Sequence, residues 1–148
     1  MDSQPTLAEV LLNPTRIYVD PVVDLVLESR RDGGVVGPES IKAIAHITGG
    51  GLSNLLRLHD SLGWHIDSPL EPQPEFQWIS DVGSIAPVEM NRTFNMGMGM
   101  VVAVSEECAD SAERWLGERL PGSRIVGRVV SNGRRVTHSD PEVVFSHY

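Results

Sequence analysis

The sequence predicts an α+β fold, a sheet covered by helices. Three observations point there. Two stretches, 41–48 and 94–104, alternate with the two-residue period of strands. Two others, 19–27 and 105–120, space their apolar residues as helices do. Near the end, Asn132-Gly133 sits between short apolar runs, a hairpin signal.

The bulk properties bound the function. A chain of 148 residues with 41% hydrophobic content has enough material for one core. Twelve basic against twenty acidic residues leave a net charge of −8, which excludes a general nucleic-acid or anionic-membrane binder. A small phosphate site made from backbone and one or two arginines stays compatible. The single cysteine, Cys108, cannot close an internal disulfide and fits a reducing compartment. No apolar run approaches the ~20 residues of a membrane span, so the expected location is the cytoplasm.

Taken in order, residues 1–12 read as a lead-in. Asn13-Pro14 and Asp20-Pro21 compete as helix starts. A start at Asn13 would carry Pro21 inside the helix, so Asp20 is preferred and Thr15–Val19 is extended. Val19, Val22, Val23, Val26 and Leu27 then form one apolar stripe. Arg30–Gly37 is a loop, with Gly33 and Gly34 stopping the helix.

Ile41–Thr48 is a strand, with Ala43, Ala45 and Ile47 on one face and His46 and Thr48 on the other. Gly49, Gly50 and Gly51 follow. Beyond them Leu52, Leu55, Leu56 and Leu62 make a helical stripe, with Asn54 and Arg57 opposite and Gly63 as the stop. A strand, a turn without side chains and a helix start could cradle an anion, because the first N–H groups of a helix are free and its dipole is positive there. A plain turn reads the same way.

Trp64–Asp67 is a short strand and Ser68–Pro74 a loop with three prolines. Glu75–Val82 turns Phe76 and Ile79 inward, and Pro87–Arg92 is a further helical turn. Phe94–Val104 is the strongest strand. One of its faces carries Met96, Met98 and Met100; the other is shaved at Gly97 and Gly99, so something packs or binds closely there. Ser105 caps a helix to about Leu120 that buries Cys108, Ala112, Trp115 and Leu116. Arg124–Val130 and Arg134–Thr137 pair as a hairpin, and Val143–Phe145 adds an edge strand.

Histidines at 46, 59, 65, 138 and 147 show no metal-ligand spacing, so no metal site is expected. His65 and Asp67 share a strand face, as a surface pair or an orienting hydrogen bond. Cys108 reads as a small buried apolar group and the methionines as core. His46 fits either a satisfied core histidine or a polar lip beside the glycines. Arg92-Thr93-Phe94-Asn95 is either a capped helix end or an arginine and two hydrogen-bonding side chains delivered to the sheet. No residue stands out as nucleophile or general base, so the catalytic residues are unknown at this stage.

PTRIYV at 14–19, IAHITGGGL at 44–52 and EMNRTFNMGMGM at 89–100 together resemble the aminoimidazole ribonucleotide synthetases, or phosphoribosylformylglycinamidine cyclo-ligases. FQWI at 76–79 and IVGRV at 125–129 fit as well. The resemblance implies a single partial C-terminal domain, its mixed sheet lacking the family's first strand–helix, with the N-terminal ATP-binding domain absent. It implies a two-domain, dimeric ligase of purine biosynthesis that uses ATP and Mg2+ to close the imidazole ring of formylglycinamidine ribonucleotide. It further implies substrate or phosphate contacts from His46, Thr48, Gly49, Gly50, Gly51, Arg92, Thr93 and Asn95, with Thr15 and Arg16 as additions. The partners implied are that substrate, the ATP-binding domain or a separate chain carrying it, and a second copy of the full enzyme. No cofactor is expected on this segment alone. The other readings are a related enzyme (formylglycinamidine ribonucleotide synthetase, selenophosphate synthetase or thiamine-monophosphate kinase) and a non-catalytic assembly module.

Overall fold

Helices and strands are mixed along the chain in a computed structural model that describes residues 5–148. In the expected lead-in, Leu7–Leu11 forms a short helix, α1. Thr6 caps it reciprocally with Glu9, each satisfying the other's backbone N–H. Helix α2, Val19–Glu28, starts one residue before Asp20 and keeps Pro21 in its first turn, where no hydrogen bond is lost.

The buried face of α2 differs from the expected stripe. Leu25 is fully buried and Val22 and Val26 half-buried, whereas Val19, Val23 and Leu27 face outward. Every outward-facing residue of that stripe is a β-branched or leucine side chain, so hydrophobicity alone could not tell the two neighbouring faces apart.

Strand β1, Ile41–His46, pairs antiparallel with β3, Met100–Val104, as a two-stranded sheet. Strand β2, Gly63–Ile66, lies at the centre of a second sheet ordered β4-β2-β5-β6, where β4 is Arg128–Val130, β5 Val136–His138 and β6 Val144–Phe145. The β2–β5 pair is parallel and the others antiparallel, so this sheet is mixed. The α+β class holds, with its strands divided between two sheets.

The expected hairpin across Asn132-Gly133 does not form. Strand β2 lies between β4 and β5, and the two arms pair with it rather than with each other. Trp64 and Ile66 on β2 are buried, and flanking them on both sides satisfies their backbone inside the core. The Asn132-Gly133 loop then passes over Gly63, where an added Cβ would meet Asn132 Oδ1 at 2.3 Å. Only glycine fits there.

Helices α3, Pro74–Gly83, and α4, Pro87–Thr93, each carry proline in the first turn. Ser105 has the extended backbone of a cap but makes no side-chain cap bond; a 3-10 turn, Glu106–Cys108, leads into α5, Ala109–Arg119. Two core clusters sandwich the β1–β3 sheet. One joins Ala45, Ile47, Leu52, Leu55, Trp64, Met98 and Phe145 between the two sheets. The other joins Leu25, Val36 and Ala112 beneath Val102 and Val104. Among the described residues no helix is long and apolar enough to cross a membrane.

Candidate functional site

Beyond β1 the chain continues its ladder for one more residue, Ile47 N–H donating to the Gly99 carbonyl at 2.9 Å. It then turns through Gly50 (φ +97°) and Gly51 (φ +52°). These angles favour glycine. The leucine-rich segment that follows is a 3-10 helix, Gly51–Arg57, rather than the expected helix reaching Leu62. Asn54, expected on the outer side with Arg57, is buried instead. Its amide donates to the carbonyls of Thr48 (3.3 Å), Gly49 (3.1 Å) and Gly51 (2.9 Å). Ser53 Oγ donates to the Gly50 carbonyl at 2.7 Å. One buried side chain thus draws the turn's carbonyls inward and fixes its shape.

Gly51 has a packing role. A Cβ there would lie 2.0 Å from the Asn91 carbonyl oxygen and 2.8 Å from that of Phe94. The glycine turn and the end of α4 therefore touch backbone to backbone. Gly49 is different: nothing lies within 4 Å of its added Cβ, and it is exposed beside Thr48. Tyr148 covers Gly50 and holds the Arg57 guanidinium 5.1 Å above its ring.

After α4, Arg92 stacks over the Phe145 ring at 5.5 Å, and Thr93 Oγ1 donates to Glu89 Oε1 at 3.1 Å. Asn95 Oδ1 accepts from Gly97 N–H at 3.0 Å, a local turn, and Met96 and Gly97 both have positive φ. The strand expected from Phe94 therefore begins only at Met100. The shaved face is filled by protein. Tyr18 covers Gly99, and the Glu71 carbonyl lies 2.7 Å from an added Cβ at Gly97.

These contacts leave a cavity of about 700 Å3 whose lining includes Thr15, Arg16, Tyr18, Asn95, Gly97 and Arg124, with Glu71 and Glu75 at its side. Arg16 donates to the Pro121 carbonyl at 2.8 Å and Arg124 to that of Pro69. Each guanidinium has five N–H donors in a planar fork, so each is anchored and still has donors to offer an anion. Thr15, Arg16 and Asn95 thus meet in one cavity. His46 lies next to it, its ring 6.2 Å from that of Tyr18. Thr48, the glycine turn, Arg92 and Thr93 do not line it. Arg124 and Tyr18 escaped the sequence reading. Tyr18 sits within PTRIYV, and Arg124 follows the Pro121-Gly122 helix break, which is the available signal for each.

The remaining polar groups form separate pairs. His65 Nδ1 bonds Thr137 Oγ1 at 2.8 Å, and Asp67 pairs with Arg128, so His65 and Asp67 do not act as a unit. Burial holds His138 below the usual histidine value, with Asp140 pulling upward and His65 adding to the fall. Cys108 is half-buried with its Sγ 3.3 Å from Ser40 Oγ. Among the described residues no three His, Cys, Asp or Glu side chains come together to hold a metal ion.

An α+β domain in which two of these motifs, 14–19 and 89–100, meet at one cavity and the third packs against the end of α4 is a defined class. The family model described as AIR synthase related protein, C-terminal domain, matches residues 2–139, and the chain belongs to that family. More particularly, it is similar to proteins named phosphoribosylformylglycinamidine cyclo-ligase. That of Methanopyrus kandleri is 42% identical over 135 residues, covering 91% of this chain and 36% of the relative. That of Methanocaldococcus jannaschii is 40% identical over 135 residues, covering 88% and 36%. That of Methanothermobacter thermautotrophicus is 39% identical over 134 residues, covering 90% and 36%. The chain therefore spans about a third of the length of the curated relatives it matches.

Proposed function

We propose that the chain forms the C-terminal part of an ATP-dependent phosphoribosylformylglycinamidine cyclo-ligase, acting on formylglycinamidine ribonucleotide in de novo purine biosynthesis in the cytoplasm. The observation that carries this reading is the convergence of PTRIYV and RTFNMGMGM on one arginine-bearing cavity, in a chain about 40% identical to cyclo-ligases. In this reading Arg16 and Arg124 hold the substrate's phosphate as charge-assisted donors. Thr15 and Asn95 orient the sugar–amidine portion, and His46 borders it.

The exposed turn at Thr48 and Gly49, with Gly50, Gly51, Arg92 and Thr93 behind it, forms the wall that faces the rest of the enzyme. ATP with Mg2+, when bound, supplies the phosphoryl group that activates the formyl oxygen; an internal nitrogen then closes the ring, and ADP and phosphate leave. The residues of this chain act by positioning and charge. Carboxylates for Mg2+ come from polypeptide beyond these residues, as does most of the ATP site, and the full enzyme is a homodimer.

Replacing the matched segment of the M. kandleri cyclo-ligase with this chain tests the reading. The chimera is expected to form aminoimidazole ribonucleotide and ADP together, while the chain alone forms neither. A folded chimera that binds ATP yet closes no ring would overturn it.

A further inference from the structure

The Asn132-Gly133 pair closes no hairpin. Its two arms pair with β2, and the loop between them is exposed. Among the described residues no hydrogen bond holds the Asn132 side-chain amide or the Gly133 N–H. Gly133 has φ +91°, and nothing lies within 4 Å of a Cβ added to it. The other asparagines are placed differently. Asn13 precedes Pro14, which has no N–H. Asn54 and Asn91 are buried with their amides donating, Asn91 to the Pro87 carbonyl at 3.0 Å. Asn95 Oδ1 is engaged by Gly97 N–H, and a methionine follows it.

The same loop is an anchor. Arg134 Nε and Nη2 donate to the Leu56 carbonyl at 3.1 and 3.0 Å, and the Arg135 carbonyl accepts from Trp64 N–H at 2.8 Å. Leu56 belongs to the 3-10 helix that begins at Gly51, so the loop holds one end of the helix and the glycine turn leads into the other. Before the loop, Val130 is fixed in register opposite Gly63. Residues 131–133 therefore bridge two fixed points.

We propose that Asn132-Gly133 is a site of spontaneous modification, an intramolecular deamidation that yields aspartate and isoaspartate at residue 132 and loosens the loop's hold on the 3-10 helix. The Gly133 nitrogen loses its proton to solvent and attacks Asn132 Cγ, and the side-chain nitrogen leaves as ammonia, closing a cyclic imide. Water then opens the imide. Cleavage of the bond from Gly133 nitrogen to Cγ gives aspartate; cleavage of its bond to the Asn132 backbone carbonyl carbon gives isoaspartate. No oxidant or reductant is needed. Glycine at 133 presents no Cβ to crowd the attack, and exposure admits the water. Isoaspartate routes the main chain through one extra methylene and leaves a carboxylate beside it. Between two fixed points that added length displaces Arg134 and Arg135, the residues that hold Leu56 and Trp64. The inference stands on this geometry and does not depend on the cyclo-ligase reading.

Incubating the whole chain in neutral buffer and mapping it by tryptic mass spectrometry tests the proposal, with electron-transfer fragmentation to tell aspartate from isoaspartate. The peptide of residues 129–134 is expected to convert to both acids while Asn13, Asn54, Asn91 and Asn95 keep their amides, and Asn132→Ser should abolish the conversion. The isoaspartyl protein, separated by ion exchange, should then exchange its Trp64 and Leu58 amides ~10-fold faster than the Asn132→Asp variant. That variant carries the same charge on a normal backbone. Leu58 N–H bonds the Leu55 carbonyl at the end of the 3-10 helix, so its exchange reads the helix itself. Asn132 staying intact in the fold, under conditions that convert a synthetic peptide of residues 129–134, would overturn the site. Another asparagine converting as fast as Asn132 would overturn it as well. Equal exchange at Trp64 and Leu58 in the two acids would overturn the link to the helix.

Discussion

Tyr18 lies directly over Gly99: a methyl group placed on Gly99 would sit 2.1 Å from the Tyr18 hydroxyl oxygen. Through this contact PTRIYV is held against the GMGM segment that leads into β3, and the arginine-lined cavity takes its shape. Gly99→Ala should push the ring aside and destabilise the domain by about 1–3 kcal/mol, the range for overpacking. The cost should largely vanish in a Tyr18→Ala background, where the clash is gone. Urea unfolding of both single variants and the double variant gives the coupling; simple additivity would mean that the two residues do not press on each other.

Gly51→Ala meets fixed backbone rather than a movable ring. The left-handed φ and the contact with the Asn91 carbonyl together predict a loss of about 3 kcal/mol or more, read as a large drop in midpoint or failure to fold. Gly49→Ala, with open space around it, should stay within about 1 kcal/mol of the parent. The same pair separates packing from binding: if Gly49 contacts ligand, its alanine variant loses affinity in the chimera while remaining folded.

Asn54→Ala removes a buried amide that serves three carbonyls. A loss of about 1–3 kcal/mol is expected. Asn54→Asp should do no better, since a carboxylate would face carbonyl oxygens. Thermal unfolding of the three proteins checks this, and an Asp variant as stable as the parent would contradict the arrangement.

How far the sequence discloses this site differs by residue. The positions of β1 and the core of β3 follow from alternation, and the proline-led start of α4 from local chemistry, whereas Pro74, expected in a loop, opens α3. What alternation hides is the backbone reversal at Met96 and Gly97, because Met96, Met98 and Met100 keep a strand's spacing through a turn. The hairpin failed for a long-range reason. Asn132-Gly133 makes a good turn, but β2, distant in sequence, competes for both arms and wins by burying Trp64 and Ile66. Asn54 illustrates a third kind of miss: helical spacing places it outward, whereas the tighter 3-10 turn brings its amide under the glycine carbonyls. The two arginines of the cavity come from residues 16 and 124, and only the folded chain puts them together.

Stability should depend on pH through His138. Its folded value is lowered from 6.5 chiefly by burial, so the neutral form is favoured on folding. Its contribution is complete above about pH 6.5 and is lost as pH falls through the lowered folded value. Denaturation midpoints should therefore drop between pH 7.5 and 5.5, and His138→Gln should flatten that part of the profile. An identical slope in the variant would assign the effect to other groups.

In the proposed function the cavity between Arg16 and Arg124 holds the phosphate of a ribonucleotide substrate. Steady-state kinetics of the chimeric cyclo-ligase carrying Arg16→Ala or Arg124→Ala tests it most directly. Each variant should raise KM for formylglycinamidine ribonucleotide ~10-fold or more, as loss of a charge-assisted contact worth roughly 1.5–3 kcal/mol implies, with a smaller change for ATP. An unchanged substrate KM in both folded variants would contradict it.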